Sequence, residues 1–229
     1  KVSVEYAHFL PEKLNIKSEI TPEERNLGIY KVVVYKSKIS MDGHFKQPDF
    51  SQWDINEEDI HWDKARISLG FSDLRGLEES IDMKWRSQTL AFEQGLANSA
   101  FINSGINAPL RNIREKEKHT FDVEFQLKGS RQFSMVPLGK ETTAHVSGQW
   151  PDPNFSGSFL PDPRKISEEG FSAHWKVLHF NRTFPQQWLG SADYHDNSVF
   201  GVGLFQSAGH YQKTERTAKY AVLLIALTF

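Results

Sequence analysis

The sequence predicts an all-β protein: an antiparallel β-sandwich of two related halves, followed by a C-terminal helix that begins a transmembrane span. Three observations predict it. Several stretches alternate apolar and polar residues with the period of a strand. Phe121, Val123, Phe125 and Leu127 share one face, while Asp122, Glu124 and Gln126 share the other. Gly and Pro break the chain at short intervals, as turns between short antiparallel strands require. Finally, Gly43-His-Phe45 with Pro48-Asp-Phe-Ser51 returns as Gly148-Gln-Trp150 with Pro153-Asn-Phe-Ser156, close to half a chain later. The same recurrence also arises by chance, because strand-turn-Pro-aromatic patterns are common in β proteins.

Along the chain, residues 29–35 form a β-branched and aromatic run suited to a buried strand. Asp42-Gly43 reads as a hairpin turn. Asn56 with Asp59 starts one helical turn before Ile60. Ala65, Ile67, Leu69 and Phe71 form an alternating row, as do Ile81, Met83 and Trp85. Residues 96–107 fit helix or strand equally, and the charged stretch 111–119 reads as a linker. Lys128-Gly129-Ser130 is a second hairpin turn. Pro151-Asp-Pro153 and Pro161-Asp-Pro163 bracket a stretch that is not a central strand. Phe171, Ala173, Trp175 and Val177 form another inward row, and 199–205 is an apolar strand whose glycines mark a bulge or a close contact.

Residues 220–229 carry no charge. As a helix, such a run rises about 15 Å, half of a ~30 Å hydrocarbon core. It reads as the opening of a transmembrane helix or as a buried terminal element. Thr214 suits the cap of that helix, and Tyr211 and Tyr220 suit the headgroup level. The chain opens on Lys1 without an initiator Met, so it reads as a fragment of a longer protein. Lys213, Arg216 and Lys219 flank the run, and positive flanks favour the cytoplasm. That rule is weak for large translocated domains.

Composition narrows the function. Lys plus Arg total 27 against 29 Asp plus Glu, which argues against a basic nucleic-acid binder. With no Cys there is no disulfide, thiolate zinc site or Cys nucleophile. His174 and His179 are five apart in one strand and point to opposite faces, so they do not share a metal. His61 with Asp63 lacks a third ligand. The loop around His195, between Asp193 and Asp196, reads as a solvated turn or a calcium loop. No nucleophile elbow, P-loop or dinucleotide fingerprint occurs. The sequence therefore predicts no catalytic residues, no metal site and no cofactor.

Two clusters carry the candidate binding residues. Gly70-Phe-Ser-Asp-Leu-Arg-Gly76 supplies Ser72, Asp73 and Arg75, where Asp73 accepts from nearby backbone N–H groups and pairs with Arg75. It reads as a recognition loop or as a self-satisfied turn. Asn181, Arg182 and Trp188 form the second, either a stacking face for sugar or peptide or core aromatics beside a capped loop. A sugar-binding face requires exposed, coplanar rings such as Trp150, Trp175 and Trp188. Alternation predicts that Trp175 is buried.

These residues also carry a resemblance. Leu10-Pro-Glu-Lys-Leu14, Gly28-Ile-Tyr30, Gly70-Phe-Ser-Asp-Leu-Arg-Gly76, Val136-Pro-Leu-Gly139, Gly170-Phe-Ser-Ala-His-Trp175 and Lys219-Tyr-Ala occur in order. The set resembles the inner membrane protein family CreD from end to end. The resemblance implies a Gram-negative inner-membrane protein with one N-terminal span, a large periplasmic domain and further spans. Residues 1–13 would then follow the first span, 14–108 and 119–206 would form the two β halves, and 210–229 would enter the second span. It implies a link to envelope integrity and tolerance of E-group colicins, under a carbon-source-responsive two-component system, with no established catalytic residues to carry over. The expected role is a non-enzymatic sensing, binding or scaffold domain. The alternative is a carbohydrate-binding or peptidoglycan-processing domain. Expected partners are the membrane, through flanking spans, and envelope proteins or glycans, with no nucleic acid. The oligomeric state is left open.

Overall fold

The computed structural model describes residues 5–28, 30–96, 104–114, 118–190 and 198–205. Its strands are β1 (Ala7–Phe9), β2 (Lys13–Leu27), β3 (Tyr30–Phe45), β4 (Arg66–Gly70), β5 (Asp82–Trp85), β6 (Gln88–Ala91), β7 (Glu93–Gln94) and β8 (Gly105–Pro109). There follow β9 (His119–Ser130), β10 (Gln132–Met135), β11 (Glu141–Gly148), β12 (Pro153–Gly157), β13 (Arg164–Ser167), β14 (Gly170–Leu178), β15 (Gln187–Leu189) and β16 (Phe200–Leu204).

An eight-stranded sheet in the order β13-β14-β11-β2-β3-β9-β5-β6 forms the base. Its spine is the β2–β3 hairpin, paired without a break from Lys13↔His44 to Leu27↔Tyr30. At about 3.3 Å per residue the 15 residues of β2 span roughly 50 Å. Residues opposite one another across strands share a face, so register decides which side chains meet. Trp175, Ala144, Ile16, Met41, Val123, Met83 and Leu90 fall in one transverse row, all apolar. The adjacent parity gives Lys176, Thr143, Asn15, Asp42, Asp122, Lys84 and Thr89, all polar. One face is thus core and the other faces water.

Two three-stranded sheets, β10-β16-β12 and β4-β8-β7, cover the apolar face. From β12, Phe155 meets Phe171 and Trp175 of β14 edge-on, and Phe200 of β16 lies 5.5 Å from Trp175. Phe133 of β10 meets Tyr35, and Phe71, just after β4, meets Phe125. Every residue of β16 is buried, which explains its unbroken apolar and glycine composition. Three polar side chains in the core are matched by two hydrogen bonds: the Ser18 and Ser37 hydroxyls bond at 2.7 Å, and Trp175 Nε1 donates to Phe159 O at 3.0 Å.

Several expectations change. Asp42 and Gly43 are not a turn: both lie inside β3. Gly43 is glycine because a Cβ there would stand 2.0 Å from Lys13 O and 2.9 Å from the Phe121 ring. The turn expected at Lys128-Gly129-Ser130 falls one residue later, on Arg131 at φ 63°. The sheet is not wholly antiparallel, because β11 and β2 run parallel over eight residue pairs. Strand β2, with its charged end and Pro22, carries a weak sequence signal. Pro22 is tolerated because β11 ends opposite Ile20, leaving no neighbour that requires its N–H. The two stretches proposed as halves share one sheet, with β9 between β3 and β5. The 3-10 turn at Glu57–Asp59 and the edge position of β12 match the sequence. The C-terminal helix over 210–229 and the loop around His195 lie outside the described residues.

Gly43→Ala should lower the urea midpoint by an amount equivalent to about 1–3 kcal/mol, because the strand pair must part to admit a methyl group. Circular dichroism-monitored urea unfolding measures it.

Candidate functional site

The loop after β4 returns to the sheet through Leu77, which bridges to Leu127. Within the loop Asp73 is extended, and its Oδ1 accepts the backbone N–H of Arg75 at 2.9 Å. The Arg75 guanidinium closes on the same carboxylate, with Nε at 3.0 Å from Oδ1 and Nη2 at 2.8 Å from Oδ2. The turn is self-satisfied and still presents its cation: the Arg75 side chain is 91% exposed. Ser72 is exposed beside it.

This loop meets two other segments around a depression of about 390 Å³. The β2–β3 hairpin brings Glu23, Arg25, Tyr35 and Lys36, and the end of β9 brings Lys128 and Gly129. Arg25 pairs with Glu23 at 3.1 Å, while Glu78 receives Lys36 at 3.4 Å and also Lys128. Tyr35 forms the floor. Its hydroxyl donates to Gln132 O at 2.9 Å, and burial pushes the phenol to about 12, so it stays protonated. Gly129 keeps the floor open, since a Cβ would sit 2.2 Å from the Tyr35 oxygen. Arg25, Arg75 and Lys128, as hydrogen-bond donors, hold Glu23, Asp73 and Glu78 below the usual carboxylate range. Four rim cations are therefore paired with three carboxylates that remain ionised at neutral pH: Glu23 and Asp73 in the lining, and Glu78 behind Lys36 and Lys128. Such a rim exchanges ion-pair partners with an incoming charged group. Its three ionised carboxylates are not suited to act as general acids at neutral pH.

The second cluster lies at the opposite end of the sheet and turns inward. Asn181 Oδ1 accepts the Leu178 N–H at 3.3 Å. Arg182 is 8% exposed; its Nη1 donates to Leu138 O at 3.0 Å, its Nη2 to Gln186 Oε1, and its guanidinium lies 4.3 Å over Phe184. Gln186 Nε2 then donates to Leu10 O and Pro11 O at 2.9 and 2.8 Å. Trp188 is buried and stacks on His8, whose pKa burial holds down. This cluster clasps the segment before β2 to the sheet. Trp175 is buried as alternation predicts, and Trp150 packs against the core. These three rings do not form an exposed sugar platform.

Among the described residues no three His, Asp or Glu side chains group as a metal site. His174 does not meet His179. It stacks on His145 of the neighbouring strand, 4.1 Å between centroids, and His145 Nε2 also bonds Ser172 Oγ at 3.0 Å. Glu23, Arg25, Tyr35, Lys36, Glu78 and Lys128 are the site residues that sequence reasoning missed. Only the alternation of their strands hints at which of them share a face.

A family model described as inner membrane protein CreD matches residues 1–229. The chain is 31% identical over 228 residues to the inner membrane protein CreD of Escherichia coli (strain K12), an alignment covering 98% of this chain and 50% of that protein. The chain thus spans about half the length of the curated relative it matches.

Arg182→Met should cost about 3 kcal/mol in urea unfolding, since it strips charged donors from the Leu138 carbonyl and Gln186, and Arg182→Lys should not restore the fork geometry. Arg75→Ala should leave the urea midpoint almost unchanged. Histidine titration gives a pH dependence. His8, His44 and His145 are held below 6.5, each chiefly by burial, so the unfolded chain binds protons first. Stability is therefore full above pH 6.5 and falls as pH drops through that value towards the lowered folded values. Melting temperature against pH measures this, and His145→Asn should flatten the slope.

Proposed function

This chain belongs to the CreD family of inner membrane proteins, and from that premise we propose that it is a periplasmic, non-enzymatic recognition domain that docks an envelope partner on the Asp73–Arg75 depression. The observation that carries this reading is the rim itself. Three segments distant in sequence converge on one depression, and Arg75 is held in a fixed, almost fully exposed pose by Asp73. A pre-set guanidinium loses little side-chain entropy on meeting a carboxylate or phosphate. The ionised state of Glu23, Asp73 and Glu78 supports binding over acid catalysis. In this reading the domain serves envelope integrity and colicin tolerance as a sensor or scaffold. The inward placement of Trp175 and Trp188 counts against a carbohydrate-binding alternative.

The test is capture by the purified chain from envelope extract, with peptidoglycan fragments offered separately. A saturable partner should bind at least tenfold more weakly to Arg75→Ala and Asp73→Ala at unchanged circular dichroism, about 1.4 kcal/mol of recognition. Equal binding by wild type and both variants would reject the site. Turnover of an envelope substrate that one point mutation abolishes would reject the non-enzymatic role.

A further inference from the structure

We propose that His145 and His174 form a two-imidazole site for a divalent transition-metal ion, Cu²⁺ above all, on the polar face of the eight-stranded sheet. Register builds the pair. Strands β11 and β14 run antiparallel with His145 directly opposite His174, so both side chains leave the sheet on one face. The rings lie almost parallel, with 10° between their planes and 4.1 Å between centroids. His145 is half-buried and His174 is exposed, so the pair is open to solvent. His179 takes no part: it lies on the 3-10 turn after β14, against Phe180.

The spacing suits a single ion. Metal–imidazole bonds of about 2.0–2.1 Å put two nitrogens on one ion about 3 to 4 Å apart. Parallel rings with centroids 4.1 Å apart reach that span by small side-chain rotations, with the strands left in place. One ring is also oriented from outside, because His145 Nε2 bonds Ser172 Oγ at 3.0 Å. Metal-bound histidines are commonly fixed in this way through their other nitrogen. Ligation needs neutral imidazole. Burial first, then His174 and Lys17, hold His145 below 6.5, so that ring is unprotonated at neutral pH.

The surroundings select the kind of ion. Lys17 of β2 is opposite His145, Lys176 follows His174 on the same face of β14, and Lys165 of β13 is opposite Ser172. Glu141 takes Lys176 at 3.1 Å, and Glu19 of β2 is opposite Ser147, the next residue of β11 on this face. The setting therefore has no negative excess. Among the described residues no Asp, Glu or further His joins the pair as a third ligand. Ca²⁺ and Mg²⁺ require carboxylate and carbonyl oxygens, so the pair does not suit them. Imidazole suits Cu²⁺, Ni²⁺ and Zn²⁺, of which Cu²⁺ binds a given site most tightly. Water completes the coordination, so the ion is exchangeable. Once bound it ties β14, and with it the edge strand β13, to β11. The inference rests on the register of β11 and β14. It is independent of the depression, which is lined by β2, β3, the end of β9 and the loop after β4.

The full chain, purified without a histidine tag, is titrated with Cu²⁺, Ni²⁺ and Mg²⁺ by calorimetry. Electron paramagnetic resonance of the copper-loaded chain reports the nitrogen ligands. Cu²⁺ should bind with two imidazole ligands, Ni²⁺ more weakly and Mg²⁺ not at all. His145→Asn and His174→Asn should each weaken Cu²⁺ by about tenfold or more and leave a single imidazole on any copper still bound. Circular dichroism checks that both variants fold, and the exposed position of His174 makes its replacement the safer of the two. His61→Asn, on an exposed turn, should change nothing. Equal Cu²⁺ affinity in the wild type and in folded His174→Asn overturns the proposal. So does a wild-type copper signal with a single imidazole, or an equal loss of binding in His61→Asn.

Discussion

The apolar face of the eight-stranded sheet must leave water, and that requirement organises the molecule. Rows such as Trp175-Ala144-Ile16-Met41-Val123-Met83-Leu90 run unbroken across seven of the eight strands, from β14 to β6. At about 25 cal/mol per Å² of apolar surface removed from water, no other interaction in the chain is comparable. Covering so wide a face takes two small sheets, and β16 is buried so completely that Gly, Val, Phe and Leu alone compose it. A one-residue slip anywhere in the β2–β3 ladder would turn a core row into the water.

The polar face follows from the same register. Asn15 donates to Asp42 at 2.7 Å and accepts from Thr143 at 2.8 Å, so three strands are laced by side chains that need no burial. Part-buried hydrogen bonds of this kind add only about 1 kcal/mol each. They fix side-chain directions, and direction is what a recognition surface needs. The rim around Tyr35 and Gly129 has this character: its ion pairs set geometry more than they hold the fold.

The two ends of the sheet differ in their chemistry. Near the hairpin tip, arginines are locked to carboxylates around an open depression. At the other end Arg182 and Gln186 are turned inward to bind the segment before β2, and the lysines outside are paired with Glu12 and Glu141. A long strand pair is an effective way to hold these two clusters apart, because about 3.3 Å per residue accumulates without a joint.

Sequence by itself determined the strands that bury one face. The rows at 65–71, 81–85, 121–127 and 171–177 all place their apolar members inward, because period-two alternation records burial directly. It also showed the edge position of the proline-flanked β12 and the Asp73–Arg75 pairing, which spans two residues. What depends on long-range pairing was not legible. Gly43 looks like a turn until Phe121 is seen over it. Strand β2 looks like a polar segment until β3 and β11 flank it. Arg182 looks like a surface cation until Leu138 and Gln186 receive it. Glu23, Lys36, Glu78 and Lys128 become one rim only through the register of β2, β3 and β9. Alternation is a local property of the chain, whereas neighbours across a sheet are chosen by the whole chain at once, and only the tertiary structure decides them.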